Sequence, residues 1–125
     1  MAARTEILIV DDEPDLLDLL KFELESVGYT VRTAENGIEA LECLKTFNPA
    51  LIITDLGMPK MDGLTFLKTL RNGDGPRPLV IVTSGYSEKL ESERENLNIG
   101  AIIGKPYLME EISALVAKLV VIKAG

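Results

Sequence analysis

Three acidic residues stand where apolar chain stops. Ile7-Leu8-Ile9-Val10 runs directly into Asp11-Asp12, and Leu51-Ile52-Ile53-Thr54 runs into Asp55. Runs this rich in Ile, Leu and Val read as strands covered on both faces. An unpaired charge is costly to bury, so a strand of this kind should not end in carboxylates without a use for them. If both strands lie side by side and point the same way, they deliver three carboxylates to one place. Crowded carboxylates repel one another, and at least one is driven toward its protonated form unless a cation sits among them. The chemistry on offer is a cation pocket.

The elements that must position these groups alternate along the chain. Apolar runs place strands at about residues 6–10, 29–34, 50–54, 79–83 and 101–103. Helical spacing of apolar residues places helices at about 14–27, 37–48, 63–72, 88–97 and 108–122. Pro14 suits the first turn of the first helix, with Glu13 and Asp15 at its positive end, and Gly28 suits its stop. Leu16, Leu17, Leu19, Leu20, Leu24 and Val27 repeat through that helix at its period. Asp62 is placed to cap the third helix. Residues 73–78, rich in Gly and Pro, form a loop. Five strands alternating with five helices imply one doubly wound α/β domain with a parallel sheet covered on both faces. In such sheets ligands sit at the carboxyl ends of the strands. That rim gathers Asp11, Asp12 and Asp55 with Thr83-Ser84 after the fourth strand and Lys105 after the fifth.

Composition narrows the function further. The 125 residues carry 13 basic and 20 acidic side chains, a net charge of −7, which disfavours a nucleic-acid surface. No apolar run approaches the roughly 20 residues of a membrane span, and Met1 to Glu6 is too short and polar for a signal peptide. The single cysteine, Cys43, reads as a packing residue of a reducing, cytoplasmic compartment. Histidine is absent, which removes His acid–base catalysis and phosphohistidine chemistry from this chain.

Four pieces stand out: Val10-Asp11-Asp12-Glu13, the loop Asp55-Leu56-Gly57-Met58-Pro59-Lys60-Met61-Asp62-Gly63, Val82-Thr83-Ser84-Gly85, and Lys105-Pro106-Tyr107. Together they resemble the receiver domains of bacterial two-component response regulators, the CheY-like superfamily. They fall in the family's order and near its spacing, over nearly the whole chain. The resemblance implies a flavodoxin-like (βα)5 fold of strand order 2-1-3-4-5. It also implies Mg²⁺, or Mn²⁺, held by Asp12, Asp55 and the backbone carbonyl of Gly57, with Asp11 close by. Mg²⁺ suits the oxygen ligands offered. Asp55 would be the phosphoacceptor, since a carboxylate can carry a phosphoryl group covalently. Lys105 would pair with Asp55 before reaction and with a phosphoryl oxygen after it. A hydroxyl ending the fourth strand, Thr83 or alternatively Ser84, would donate to the phosphoryl group; strand alternation lets only one of the two face the site. The family commonly has a cis bond before the proline equivalent to Pro106. Pro59 and Gly63 read as structural, Gly63 through a backbone conformation closed to other residues.

The implied partners are a histidine kinase or phosphotransfer protein upstream and an output protein or domain downstream, with no nucleic acid and no membrane. Phosphorylation would switch the surface made by the fourth helix, fifth strand and fifth helix, which could also serve a homodimer. The fourth helix has Leu90 as its internal apolar anchor, so its rearrangement should be easy. One departure from the family is Ile102, where most receivers carry an aromatic switch residue; Tyr86, nearby in sequence, reads equally as its stand-in or as a surface or packing residue. Asn98 takes a glycine position. The chain reads as a signalling phosphoacceptor rather than an enzyme, either stand-alone or part of a longer regulator or hybrid kinase. Competing readings are weaker. Aspartyl-nucleophile phosphatases and phosphotransferases usually separate their two acids by one residue after the first strand, whereas Asp11 and Asp12 are adjacent. A docking module that takes no phosphate would not need Asp11, Asp12, Asp55 and Lys105 together. A nucleotide binder would need a Gly-rich loop after the first strand.

Overall fold

The computed structural model describes residues 5–73, 77–84 and 88–124. Gly85, Tyr86 and loop residues 74–76 lie outside the described residues. The elements are β1 (Glu6–Val10), α1 (Pro14–Val27), β2 (Thr30–Ala34), α2 (Gly37–Cys43), β3 (Leu51–Thr54), α3 (Gly63–Arg71), β4 (Leu79–Val82), α4 (Glu88–Ser92), β5 (Ile99–Ile102) and α5 (Met109–Ala124). All strand pairs are parallel, in the order β2-β1-β3-β4-β5. The architecture is the one the alternating pattern implied.

Alternation along each strand sorts the core into two layers. Ile7, Ile9, Leu51, Ile53 and Ile81 pack with Leu17, Leu20 and Leu24 of α1 and Ile112, Val116 and Leu119 of α5. Leu8, Val10, Ile52, Val80 and Val82 pack with Ala40 of α2, Phe66 and Leu67 of α3 and Leu90 of α4. Burying one such side chain fully contributes about 1.5–3 kcal/mol, which is why the sheet's apolar runs fix its position so firmly. Leu19 and Val27, although in phase with α1's period, face outward.

Helix starts follow local chemistry. Pro14 opens α1, and Gly28 closes it at φ 113°, its N–H donating to the Glu25 carbonyl at 3.0 Å. The Asp62 carboxylate caps α3 by accepting from the Thr65 N–H at 2.8 Å, as expected. Asn36 caps α2 by accepting from the Glu39 N–H at 2.9 Å, while Glu39 accepts from the Glu35 N–H at 3.0 Å. The Asn36-x-x-Glu39 spacing carries that signal in the sequence.

Several boundaries differ from expectation. α4 stops at Ser92 instead of running to residue 97. The chain beyond it tightens: Arg94 N–H bonds back to the Glu91 carbonyl and Asn98 N–H to that of Glu95. The Arg94 guanidinium turns onto the carbonyls of Ile99 and Gly100 at 3.3 and 3.1 Å. Those contacts, with an irregularity in the β4–β5 pairing at Val80/Ile81, start β5 at Ile99 and not at residue 101. Asn98 does adopt a left-handed conformation, at φ 59°, which Asn tolerates better than most residues. Its side chain donates to the carbonyls of Arg77 and Pro78. α2 ends at Cys43, short of residue 48, in tight turns that reach Thr46. Cys43 is half-buried against the core, in keeping with a packing role.

Candidate functional site

Strand register builds the rim. Val10 pairs with Thr54 and Thr54 with Val82. The next residues, Asp11, Asp55 and Thr83, therefore end β1, β3 and β4 at one level. Backbone bonds carry the ladder through that level: Asp55 N–H to the Val10 carbonyl at 3.0 Å and Thr83 N–H to the Thr54 carbonyl at 2.9 Å. Ser84 falls one step out of phase with this row. Thr83 is buried and Ser84 is partly exposed.

Asp11, only 2% exposed, is held at both oxygens. Its Oδ1 accepts from the Glu13 N–H at 2.9 Å, and its Oδ2 accepts from Lys105 Nζ at 2.8 Å. Asp55 Oδ1 accepts from the Leu56 N–H at 2.8 Å, and its Oδ2 accepts from Lys105 Nζ at 3.2 Å. Glu13 Oε1 stands 3.7 Å from the same ammonium. Burial works to lower the Lys105 pKa, but the hydrogen bond and charge of Asp11, and then those of Asp55, outweigh it and hold the ammonium well above its ordinary value. Lys105 joins the rim through a cis bond to Pro106.

Asp12 completes the acidic group. It is exposed, and one oxygen from each of Asp11, Asp12 and Asp55 lies within 4.8 Å of the others. Three carboxylate oxygens so close together are a hard donor set of the kind Mg²⁺ takes alongside waters. The donor chemistry fits the implied ion. Gly57 lies exposed in the loop after β3.

That loop is fixed from both sides. Gly37 N–H donates to the Met61 carbonyl at 3.1 Å, and Gly63 N–H to the Leu56 carbonyl at 2.8 Å. Gly63 is required for a different reason from the one its sequence suggested. Its φ is not positive; instead, a Cβ there would collide with the Asp55 carbonyl oxygen. In the same loop it is Lys60 that takes a positive φ, 65°. Ile102 packs into the α2–α4 layer of the core.

Tyr107 is the neighbour that sequence reasoning passed over. Its ring packs on the α1–α5 layer, and its hydroxyl is buried. Burial, with the negative charge of Asp11, pushes the phenol up to about 12. Nothing in the sequence marks it beyond its place after Lys105-Pro106.

A doubly wound parallel sheet with a lysine-bridged acidic cluster at the carboxyl ends of its central strands defines the class. Residues 7–117 match the family model for the response regulator receiver domain, and the chain belongs to that family. It is 36% identical over 111 residues to the alkaline phosphatase synthesis transcriptional regulatory protein PhoP of Bacillus subtilis, covering 89% of this chain and 46% of that protein. It is 43% identical over 105 residues to protein-glutamate methylesterase/protein-glutamine glutaminase 3 of Rhodospirillum rubrum, covering 82% of this chain and 28% of the relative. The chain thus spans less than half the length of either. Among solved structures, a CheY-like response regulator receiver domain protein from Methanospirillum hungatei superposes with a TM-score of 0.88 at 27% identity, covering 98% of both chains. Among the described residues, no helix is long and apolar enough to cross a membrane.

Proposed function

We propose that this chain is a Mg²⁺-dependent phosphoacceptor, with Mn²⁺ as a substitute ion, that takes a phosphoryl group onto Asp55 from a phosphohistidine on a partner kinase or phosphotransfer protein. The observation that carries this reading is the single ammonium of Lys105 shared between Asp11 and Asp55, with Asp12 in the same oxygen cluster. Asp11, Asp12, Asp55 and the Gly57 carbonyl would hold the ion, which when bound supplies counter-charge to the oxygens of the transferring group.

In the transfer, an Asp55 carboxylate oxygen bonds to phosphorus as the phosphorus–nitrogen bond breaks. The leaving imidazole keeps the electron pair and takes up a proton. The site's own groups do the positioning. Leu56 N–H fixes one Asp55 oxygen. Gly63, lying close behind the Asp55 backbone, keeps the loop in place. Lys105 moves from its carboxylates to a phosphoryl oxygen. The level shared by Asp11, Asp55 and Thr83 favours Thr83 over Ser84 as the hydroxyl that follows it. Movement at the end of β4 passes to α4, whose short helix has a small share of the core, and changes the α4–β5–α5 face offered to an output partner or a second copy. We place this activity in the cytoplasm.

The test is mass spectrometry after acetyl phosphate and Mg²⁺. Wild type should gain one phosphoryl group and Asp55→Asn none. Sustained turnover of simple phosphomonoesters would instead make the chain an aspartyl phosphatase and overturn the proposal.

A further inference from the structure

The transfer chemistry gives Tyr107 no task, yet its hydroxyl is the one buried side-chain oxygen or nitrogen without a hydrogen-bond partner among the described residues. A buried hydroxyl left unpaired destabilises the state in which it is unpaired, so a second state that pairs it is favoured by that pairing. Tyr107 has the surroundings to supply one. It lines a cleft with Glu13, Leu16, Lys105 and Pro106 beside the acidic cluster. The charges that act on its hydroxyl are those of Asp11, Lys105, Asp55 and Glu13. At rest the Lys105 ammonium already occupies Asp11 and Asp55 and stands near Glu13. A phosphoryl group on Asp55 brings new anionic oxygens that compete for this ammonium. When Lys105 goes to them, Glu13 in the cleft loses a nearby positive charge, and buried Asp11 beside it loses the hydrogen bond to its Oδ2; an ion held by the acids would offset the charge of Asp11 without supplying a new donor.

We propose that Tyr107 is a positioning residue for the phosphorylated state: its hydroxyl, unpaired at rest, donates to the carboxylate that Lys105 leaves, Asp11 or Glu13, and so holds the rim in its switched arrangement. The inference rests on Asp55 being the acceptor. It assigns the phenol two opposite effects. The hydroxyl weakens the resting protein and strengthens the phosphorylated one. A tyrosine kept only for its ring would do neither, and one satisfied at rest by an ordered water would strengthen the resting protein.

The experiment compares wild type, Tyr107→Phe and Tyr29→Phe by thermal unfolding, without ligand and with Mg²⁺ plus beryllofluoride as the phosphoryl stand-in. Tyr29 sits in the turn before β2, at the opposite end of the sheet from the acidic rim. Tyr107→Phe should raise the ligand-free midpoint and bind beryllofluoride about three- to tenfold more weakly, the effect of one lost hydrogen bond. Tyr29→Phe should not change beryllofluoride affinity. Fluorotyrosine NMR should show the residue-107 signal moving on beryllofluoride addition. A lowered ligand-free midpoint in Tyr107→Phe, an unchanged beryllofluoride affinity, or a stationary residue-107 signal in a protein that does bind beryllofluoride overturns the proposal. If wild type neither binds beryllofluoride nor takes up phosphoryl from acetyl phosphate, the failure lies with Asp55 as acceptor, and the proposal falls with it.

Discussion

Replacing Lys105 by methionine keeps most of the apolar stem and removes the charge that binds the rim together. The ammonium stands 2.8 Å from Asp11 and 3.2 Å from Asp55. At an effective dielectric of about 20, each contact is worth roughly 5–6 kcal/mol of gross attraction. Desolvation offsets most of that. Removing one partner from a fully buried pair typically costs about 3–5 kcal/mol. Here the side chains of Asp11, Asp55 and Lys105 are 2%, 14% and 26% exposed, so solvent screens part of the effect. The expected loss with a chelator present is about 2–3 kcal/mol, roughly 6–15 °C in thermal midpoint for a chain of this length. Mg²⁺ should reverse much of it. Without the competing ammonium, Asp11, Asp12 and Asp55 attract the ion more strongly, and binding to the folded state alone stabilises it by mass action. The sign of the pH dependence follows from the raised Lys105 pKa. Its stabilising contribution is complete below the unfolded lysine value of about 10.4 and is lost only as pH rises through the higher folded value. The gap between wild type and variant should therefore stay constant from neutral pH to about 10. The assay is thermal unfolding of both proteins with chelator and with Mg²⁺. Equal stability in chelator, or an equal Mg²⁺ gain in both proteins, would refute the reasoning.

Other substitutions probe the scaffold. Gly63→Ala forces a Cβ against the Asp55 carbonyl and should cost at least about 3 kcal/mol in urea unfolding, whereas Gly57→Ala, which meets open space, should stay within about 0.5 kcal/mol. Asn36→Ala removes the α2 cap and should cost about 1 kcal/mol by the same measurement. In an alkaline titration followed by phenolate absorbance, one tyrosine should ionise late, near 12, and Tyr107→Phe should delete that phase. Because the folded value exceeds the unfolded one, Tyr107 also withdraws stability as pH climbs from about 10 toward 12.

Much of this molecule is legible in the chain because the signals are local. Ile7 to Val10 and Leu51 to Thr54 can satisfy their apolar side chains only as covered strands, and their acidic ends mark the rim. Pro14 starts a helix through its fixed φ, and Asn36 and Asp62 each start one through a side-chain cap within one turn. α4 failed as a local reading because its length is set elsewhere. Arg94 is drawn to two carbonyls of β5, and that capture ends the regular helix before its charged residues run out. Gly63 misled for a similar reason: a glycine can be needed for its backbone angle or for the space its missing side chain leaves, and the sequence does not distinguish them.

The sequence by itself determined the alternation of strands and helices, the acids available for a cation, and the lysine that could answer them. Those follow from side-chain hydrophobicity and from chemistry between near neighbours. The tertiary structure decided that Lys105 reaches Asp11, far away along the chain, as well as Asp55, that Thr83 shares their level, and that the Tyr107 hydroxyl is left without a partner among them. These depend on how strands register and layers pack. A side chain's partners are fixed by where the fold ends each strand, and no short stretch of sequence holds that information.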